Sequence, residues 1–569
     1  MKSIVVDILD KAIDELDKIQ IEEILEQPPK PELGDYAFPC FRLAKVMRKA
    51  PNMIAADIYE KVCQDERVAD TFDKVETNGA YVNFFTNKSI FAKSVIEKSK
   101  SDNYGSSDLG KGKTICIDYS SPNVAKNFHV GHLRTTVIGN SLYKIYSKLG
   151  FNVERINHLG DWGTQFGKLI VAYKNWGSEE EVKAKGIEEL MRLYVLFHDE
   201  ADKNPELEDD ARAWFHKMEL GDEEALSIWK WFFDISLEEF KRTYKLMGME
   251  FDHYTGESFY RDKTDDVVKE LTEKGLLIES EGAKIVDLSE YDMAPCLILK
   301  KDGSSIYATR DIAAVEYRKK TYNFEKCLYV TGQEQKLHFA QVFKVMELLG
   351  NDWAKDGLVH IPYGLVSLAG EKLSTRGGNV IYAEDILKEA ISKIKEIIEE
   401  KNPDLSAEQK EEAARIVGVG AVIFNDLYNQ RIKDVSFKWE HITSFEGETG
   451  PYVQYTYARC SSILRNVNDF DINGEIDYSL LSDASSSELM KEINRFEDVI
   501  KEAADRYEPS VVARYAVDLA QAFNRFYTEN RIAVDEKGVR DARCTLTYIT
   551  RRILRDSLDL LGIGCVEQM

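Results

Sequence analysis

Thr114-Ile115-Cys116-Ile117-Asp118-Tyr119-Ser120-Ser121-Pro122-Asn123 and its continuation Val124-Ala125-Lys126-Asn127-Phe128-His129-Val130-Gly131-His132-Leu133 decide how this chain is read. The first six residues form a short apolar strand. A polar turn follows at 120–123, and a helix-compatible run extends from Leu133 to Leu149. Strand, polar loop and helix open a doubly wound α/β domain, and Asn152-Val153-Glu154-Arg155-Ile156 reads as its next strand. A helix N-terminus offers free backbone N–H groups and the positive end of a dipole, a ready place for phosphate. His129 and His132 stand there and can donate hydrogen bonds to phosphate oxygens as negative charge builds. Gly131 has no side chain, so a flat ring such as adenine can lie against the backbone. Taken alone, His-x-x-His is more often an ordinary helix start with two surface histidines.

Outward from this stretch the chain divides into three. Residues 1–105 read as a small α+β module, with an amphipathic helix from Asp7 to Leu25, a helix from Phe41 to Met47 and a strand at Ala80–Phe85. Lys98 to Lys113 is rich in Ser, Gly, Lys and Asp and reads as a linker. Residues 106–385 carry the α/β domain, interrupted by an acidic helical insertion around 176–250 that opens with a Ser178/Glu181 capping box. The α/β signals return with a hairpin at Lys301-Asp302-Gly303 and strands at Leu328–Val330 and Gly364–Leu368. Residues 386–569 are helix-compatible almost throughout, with a gap around 469–489. The expected fold is therefore a Rossmann-type domain with a helical insertion, an N-terminal α+β module and a C-terminal all-α bundle.

Composition narrows the class. At 569 residues the chain has room for roughly three to four domains. Its 44% hydrophobic and 31% charged residues suit a globular protein, and no run approaches the 18 or so apolar residues of a membrane span. The N-terminus reaches Asp7 without the apolar core of a signal peptide, so a cytoplasmic protein is expected. Eight scattered cysteines, without a Cys-x-x-Cys pair, read as reduced structural thiols and not as a zinc site. The net charge of −24 disfavours nonspecific nucleic-acid binding but leaves room for a local basic face. Such a face lies between 506 and 555, where ten basic residues meet six acidic ones. Tyr515, Phe526 and Tyr527 are interleaved with Arg514, Arg525 and Arg531. That mixture suits splayed bases of single-stranded RNA, and equally suits a bundle with an aromatic core and a wet arginine face.

A second cluster, Gly370-Glu371-Lys372-Leu373-Ser374-Thr375-Arg376-Gly377-Gly378, follows an expected strand about 240 residues after the histidines. Its flanking glycines suggest a mobile loop, and Lys372 and Arg376 could clamp a polyphosphate. With their strand contexts and chain order, the two clusters resemble the His-Ile-Gly-His and Lys-Met-Ser-Lys-Ser signatures of class I aminoacyl-tRNA synthetases. More narrowly, the chain resembles the arginyl group of that class. Ser120–Lys126, Asn157–Gly167, Tyr307–Asp311, Gln335–Phe339, Glu446–Tyr455 and Gly34–Pro39 all match that group in order. The last residues, Cys565–Met569, depart from its commoner ending.

The resemblance implies an arginine–tRNA ligase acting with ATP, ATP-borne Mg²⁺ and no zinc, as a monomer whose partners are arginine and tRNA(Arg), without a membrane. It implies catalytic roles for Lys126, His129, His132 and Lys372, and ATP contacts from His129, Gly131, His132, Lys372, Ser374 and Arg376. Thr375 stands where the class carries a second lysine, and Lys126 is expected to replace it. Arginine would be held by Asp118, Asn123, His129, Tyr307, Asp311 and Gln335, since a guanidinium favours a bidentate carboxylate. By position alone Asp311 is more readily a helix N-cap. Asp161 and Gln165 are expected near ribose or amino acid. The N-terminal module is expected at the outer corner of the tRNA. Arg514, Arg525, Tyr527 and Arg531 are the anticodon candidates. Two rivals stay open: a noncatalytic RNA-binding protein derived from a synthetase, and a related nucleotidyl-transfer enzyme acting on a small molecule.

Overall fold

The computed structural model describes residues 1–28, 30–368, 371–372, 382–467 and 469–569, with the side chains of Pro31, Leu368, Glu371 and Lys372 outside the description. The chain forms two compact units. One comprises residues 1–104, 460–495 and 521–553, and the other residues 105–459, 496–520 and 554–569.

The second unit is built on a five-stranded parallel sheet. Its elements, in chain order, are β1 (Thr114–Asp118), α1 (Val130–Lys148), β2 (Asn152–Asn157), β3 (His253–Tyr254), α2 (Tyr307–Tyr322), β4 (Lys326–Gly332), α3 (Lys336–Leu348) and β5 (Leu358–Tyr363). The strand order is β5-β4-β1-β2-β3, and every pairing is parallel. The order reverses between β1 and β4, so the crevice of a doubly wound sheet opens at their carboxyl ends. Ile115, Cys116 and Ile117 of β1 and Cys327 to Val330 of β4 are buried, as expected of strands covered on both faces. All eight cysteines are free.

Five helices, Thr164–Trp176, Glu179–Lys185, Ile187–Ala201, Glu206–Glu219 and Glu223–Met247, separate β2 from β3. The helical stretch thus begins at Thr164, directly after the Gly160–Gly163 segment and earlier than the acidic composition marked it. The hairpin at 301–303 is a tight turn closed by Gly303 N–H to Lys300 O at 2.9 Å, with one bridge between Leu299 and Ser305. The strand expected at 364–368 is shorter, Val366–Leu368, because Gly364 and Leu365 are bonded to Arg431 and Asp434 of a crossing segment. The strand β5 just before it was missed; its period-two pattern is blurred by Pro362 and His360.

The first unit contains a three-stranded antiparallel sheet, Tyr36–Pro39, Tyr81–Thr86 and Phe72–Asn78, with Tyr81–Thr86 central. The single helix expected at 7–25 is two, Lys2–Ala12 and Lys18–Ile24. Asp17 caps the second through a capping box with Gln20, and that cap stops the first from running on. Both helices bury Val5, Leu9, Ile13 and Ile21 in one core with Phe38 and Phe84. The expected helix at 41–47 is a 3-10 turn at Cys40–Leu43 followed by Ala44–Met47. Near the C-terminus the helices are Gly450–Arg465, Ala484–Asp505, Ser510–Glu529 and Lys537–Leu560, so the expected gap closes at 484. Tyr515 and Phe526 are buried core residues and not stacking surfaces, whereas Tyr527 is 41% exposed.

Helix α1 lies so close to the end of β1 that a Cβ at Gly139 would sit 2.2 Å from Cγ of the buried Tyr119. Gly139→Ala should therefore lower stability by about 1–3 kcal/mol as an overpacked core site, read as a fall in the thermal unfolding midpoint.

Candidate active site at the carboxyl edge of the sheet

In a parallel sheet a helix that follows a strand starts at the carboxyl edge, and so does a helix that leads into the next strand. Helices α1, α2 and α3 therefore all present their N-termini to the same edge. They carry His129–His132, Tyr307–Asp311 and Gln335–His338 respectively.

The loop from β1 to α1 is strained and heavily bonded. Ser120, Ser121 and Ala125 have φ of 71°, 44° and 59°, a region that non-glycine residues occupy at a cost of about 1–3 kcal/mol each. Hydrogen bonds hold them there. Ser120 N–H donates to Thr135 Oγ1 at 3.1 Å, Ser120 Oγ meets the Tyr244 hydroxyl at 2.7 Å, and Ala125 N–H donates to Ser236 Oγ at 3.0 Å. Thr135 in turn donates to Val330 O at 2.7 Å, which ties α1 to β4.

His129 caps α1. Its Nδ1 accepts from Gly131 N–H at 3.1 Å, and its own N–H donates to His132 Nδ1 at 3.3 Å. With both Nδ1 atoms acting as acceptors, each neutral ring carries its proton on Nε2, the tautomer that can donate to a ligand. The rings stack at 3.8 Å. Burial pushes both imidazoles below their ordinary range, His132 well below it, with the Lys126 charge adding to each and His129 to His132. Burial also lowers the Lys126 ammonium, which lies 5.7 Å from the Tyr194 ring. Lys126, Gln165 and Tyr194 line one small cleft.

A Cβ at Gly131 would meet His129 Cε1 at 2.9 Å and Nδ1 at 3.0 Å. The missing side chain makes room for the His129 ring, a reason the sequence alone did not disclose. Asn123 is exposed and bridges Gly160. Lys372 is placed only in its backbone, paired with Ser367, while Ser374 and Arg376 lie outside the described residues.

Across the crevice sits a chain of charged and polar groups. Asp118 accepts from Arg318 Nη2 at 2.7 Å and from Ser121 Oγ at 2.8 Å. Its carboxylate is engaged by the chain's own Arg318 guanidinium at the carboxyl end of β1. Arg318 also faces His158 Nδ1 at 3.3 Å. Asp311 is no N-cap, since the cap of α2 is Ile306. Its Oδ2 accepts from His338 Nε2 at 2.6 Å, and its Oδ1 lies 3.9 Å from His158 Nε2. Burial alone would raise the Asp311 carboxyl, but the His338 bond, with His158 and Arg318 nearby, holds it below the usual carboxylate range.

Glu257 was not foreseen. It is buried, and its Oε2 faces the Arg310 guanidinium at 3.1 Å. Burial pushes its carboxyl up to about 8, against the Arg310 charge and with Asp311 and Asp161 adding to the rise. No sequence pattern marks it, because it enters from a four-residue helix far from any strand–loop–helix signal. Tyr307 stands at the mouth, 61% exposed, with the Arg310 guanidinium 5.0 Å from its ring. Gln335 is exposed at the start of α3. Asp161 is buried and accepts from Ser258 N–H at 2.8 Å and Ser258 Oγ at 2.6 Å, so it braces the 258 segment. Trp162 packs edge-on against Phe215 and Trp229.

Of the anticodon candidates, Arg514 is exposed with its guanidinium 5.6 Å from the Tyr428 ring, in the second unit. The other three belong to the first unit: Arg525 bonds Glu488 at 2.7 Å, Tyr527 stacks on Phe523 at 6.4 Å, and Arg531 is exposed. Among the described residues no group of three or more His, Cys, Asp or Glu side chains is placed to hold a metal ion, and no helix is long and apolar enough to cross a membrane.

Because the His129 ring fills the space over Gly131, Gly131→Ala should displace it and weaken the cap by about 0.5–2 kcal/mol. The check is a lower unfolding midpoint together with shifted His129 and His132 ring resonances.

Comparison with known proteins agrees with this architecture along the whole chain. Residues 95–439 match the family model for tRNA synthetases class I (R), catalytic domain. Residues 453–569 match the DALR anticodon binding domain, and residues 1–86 the arginyl tRNA synthetase N terminal domain. An arginine–tRNA ligase of Alkaliphilus metalliredigens is 54% identical over 100% of this chain and 99% of its own length. One from Clostridioides difficile is 54% identical over 99% and 98%. The arginyl-tRNA synthetase structure of Thermus thermophilus superposes with a TM-score of 0.83 at 25% identity, covering 100% of both chains. With a strand–histidine–helix edge, a buried carboxylate cluster facing it and relatives of full length, the chain belongs to the arginyl-tRNA synthetases of class I.

Proposed function

We infer that the chain activates arginine with ATP and transfers it to the terminal adenosine of tRNA(Arg). The observation that carries the assignment of the arginine site is the partly buried, ionised Asp311 together with the buried Glu257, on the edge that also carries the histidine-capped α1. A cationic fork suits this pair, because its charge favours the ionised form of both carboxyls and its donors can reach them.

In the first step a carboxylate oxygen of arginine attacks the α-phosphorus of ATP. The bond to the β-phosphate oxygen breaks, and pyrophosphate leaves with that electron pair. The protein needs no covalent nucleophile, and its work is positioning and charge stabilisation. His129 and His132 donate through Nε2, while Lys126 supplies positive charge in place of the lysine absent at Thr375. Gly131 keeps the backbone open for the nucleotide, and Lys372, Ser374 and Arg376 complete the triphosphate site. Mg²⁺ enters with ATP, coordinated by its phosphates. Asn123 and Gln335 hold the α-amino and carboxylate ends of arginine, with Tyr307 over the guanidinium. In the second step the 2′ hydroxyl of the terminal adenosine attacks the arginyl carbonyl, losing its proton, and AMP leaves.

Residues 1–105 serve as the module that meets the outer corner of the tRNA, and residues 386–569 as the anticodon-binding part, with Arg514, Arg525, Tyr527 and Arg531 as contacts. The chain works as a cytoplasmic monomer.

Arginine-dependent exchange of pyrophosphate into ATP should require tRNA. Full-rate exchange without tRNA would remove the coupling, and exchange with another amino acid but not arginine would remove the substrate assignment. The pH dependence follows from Glu257. Below about 8 its carboxyl is protonated in the empty site, and a guanidinium favours the ionised form, so binding releases a proton. The KM for arginine should therefore fall as pH rises from about 6 to about 8. A flat KM across that range would take Glu257 out of the site.

A further inference from the structure

His338 belongs to a matched segment, yet the reaction above gives it no task. It touches Asp311 more closely than any other described side chain does, and the geometry restricts what that contact can mean. An ionised carboxylate only accepts, so His338 Nε2 is the donor in the 2.6 Å bond to Oδ2. The other histidine in reach cannot share the task. Arg318 has no acceptor to offer, so the His158 Nδ1 that faces it at 3.3 Å must itself accept, which places the His158 proton on Nε2. That Nε2 stays 3.9 Å from Asp311 Oδ1, beyond hydrogen-bond range. One carboxylate oxygen is thus anchored and the other is not.

We propose that His338 is the positioning residue that sets the plane of the Asp311 carboxylate, and through it the preference for a guanidinium over an ammonium. This rests on the reading that Asp311 binds arginine. A carboxylate on a single Cβ–Cγ bond turns freely unless something holds it, because that torsion is broad and roughly two-fold. A guanidinium is a planar fork and needs two oxygens presented in one plane. The ammonium of lysine is a point charge with rotatable donors and does not read that plane. His338 is itself held: its neighbour Phe339 is buried, stacks on His360 at 5.0 Å, and lies edge-on to the His338 ring at 5.2 Å. The single bond to Oδ2 leaves lone pairs on both oxygens for the incoming fork.

The test compares His338→Ala, His338→Gln and Asp311→Asn in full-length protein with tRNA present. It measures kcat, the KM values for arginine and ATP, and the inhibition constant of free lysine as a competitor of arginine. His338→Ala should raise the arginine KM at least tenfold, with the ATP KM and the lysine inhibition constant within twofold of wild type. His338→Gln keeps an N–H donor at a similar reach and should recover most of the loss. An unchanged arginine KM in His338→Ala, while Asp311→Asn raises it, would overturn the proposal and leave the arginine site standing. Equal weakening of arginine and lysine, or of arginine and ATP, would also overturn it, because the effect would then be charge or structure and not the carboxylate plane. An unchanged arginine KM in Asp311→Asn would instead overturn the site reading on which the proposal rests. If His338→Ala fails to fold, His338→Gln and a His338→Phe variant, which keeps the ring and lacks the donor, give the same comparison.

Discussion

A guanidinium sealed away from water organises this protein. Arg318 of α2 has no exposed surface, and it faces Asp118 at the tip of β1 across 2.7 Å. Burial works against its charge, and Asp118 together with Tyr260, Tyr329 and Cys327 outweighs that, so the arginine is held firmly ionised. Removing either partner of such a pair leaves an uncompensated buried charge, a loss of about 3–5 kcal/mol. Among the described residues two Arg318 nitrogens, Nε and Nη1, have no hydrogen-bond partner, and the guanidinium lies 5.4 Å from the Tyr329 ring, which offsets part of that deficit. The pair joins the strand that leads to the histidines with the helix that carries Tyr307 and Asp311. It also dictates the His158 tautomer, and so reaches the second carboxylate without touching it.

A second buried guanidinium does the same for α1. Arg134, two residues past His132, donates to the carbonyls of Leu365, Arg431 and Lys433 at 3.1, 2.9 and 2.8 Å and lies 3.6 Å from the buried Asp426. The helix that bears the histidines is therefore fixed to the segment just before Val366–Leu368, and that strand pairs antiparallel with Glu371–Lys372. The N-terminus of α1 is rigid, while the loop feeding it carries three left-handed residues. Strain of that kind persists where neighbouring bonds over-determine it, and here Thr135, Tyr244 and Ser236 supply them.

Much of this was legible locally. The apolar strand, polar turn and helix of 114–149 announced a doubly wound sheet, because burial on both faces demands an unbroken apolar run. The Ser178 cap, the helical insertion and the mostly helical C-terminus followed from periodicity and turn chemistry, although element ends moved wherever a cap or a crossing segment intervened. Asp17 split one expected helix in two. Tyr515 and Phe526 suited either RNA stacking or a bundle core, and they lie on the inward stripe of an amphipathic helix; spacing alone does not tell a wet face from a packed one.

What the sequence by itself determined is the class of sheet and the presence of two histidines at a helix start. These are properties of consecutive residues, and local propensity reads them. The partners were decided only by tertiary structure. Asp118 and Arg318, Asp311 and His338, and Glu257 and Arg310 are separated by 200, 27 and 53 residues, and no pattern along the chain links them. Whether a carboxylate is free, paired or protonated depends on which charges burial brings beside it, and that is a matter of distance in space. The same holds for Gly131: its missing side chain matters because the His129 ring folds back over it, a contact that exists only once the helix cap has formed.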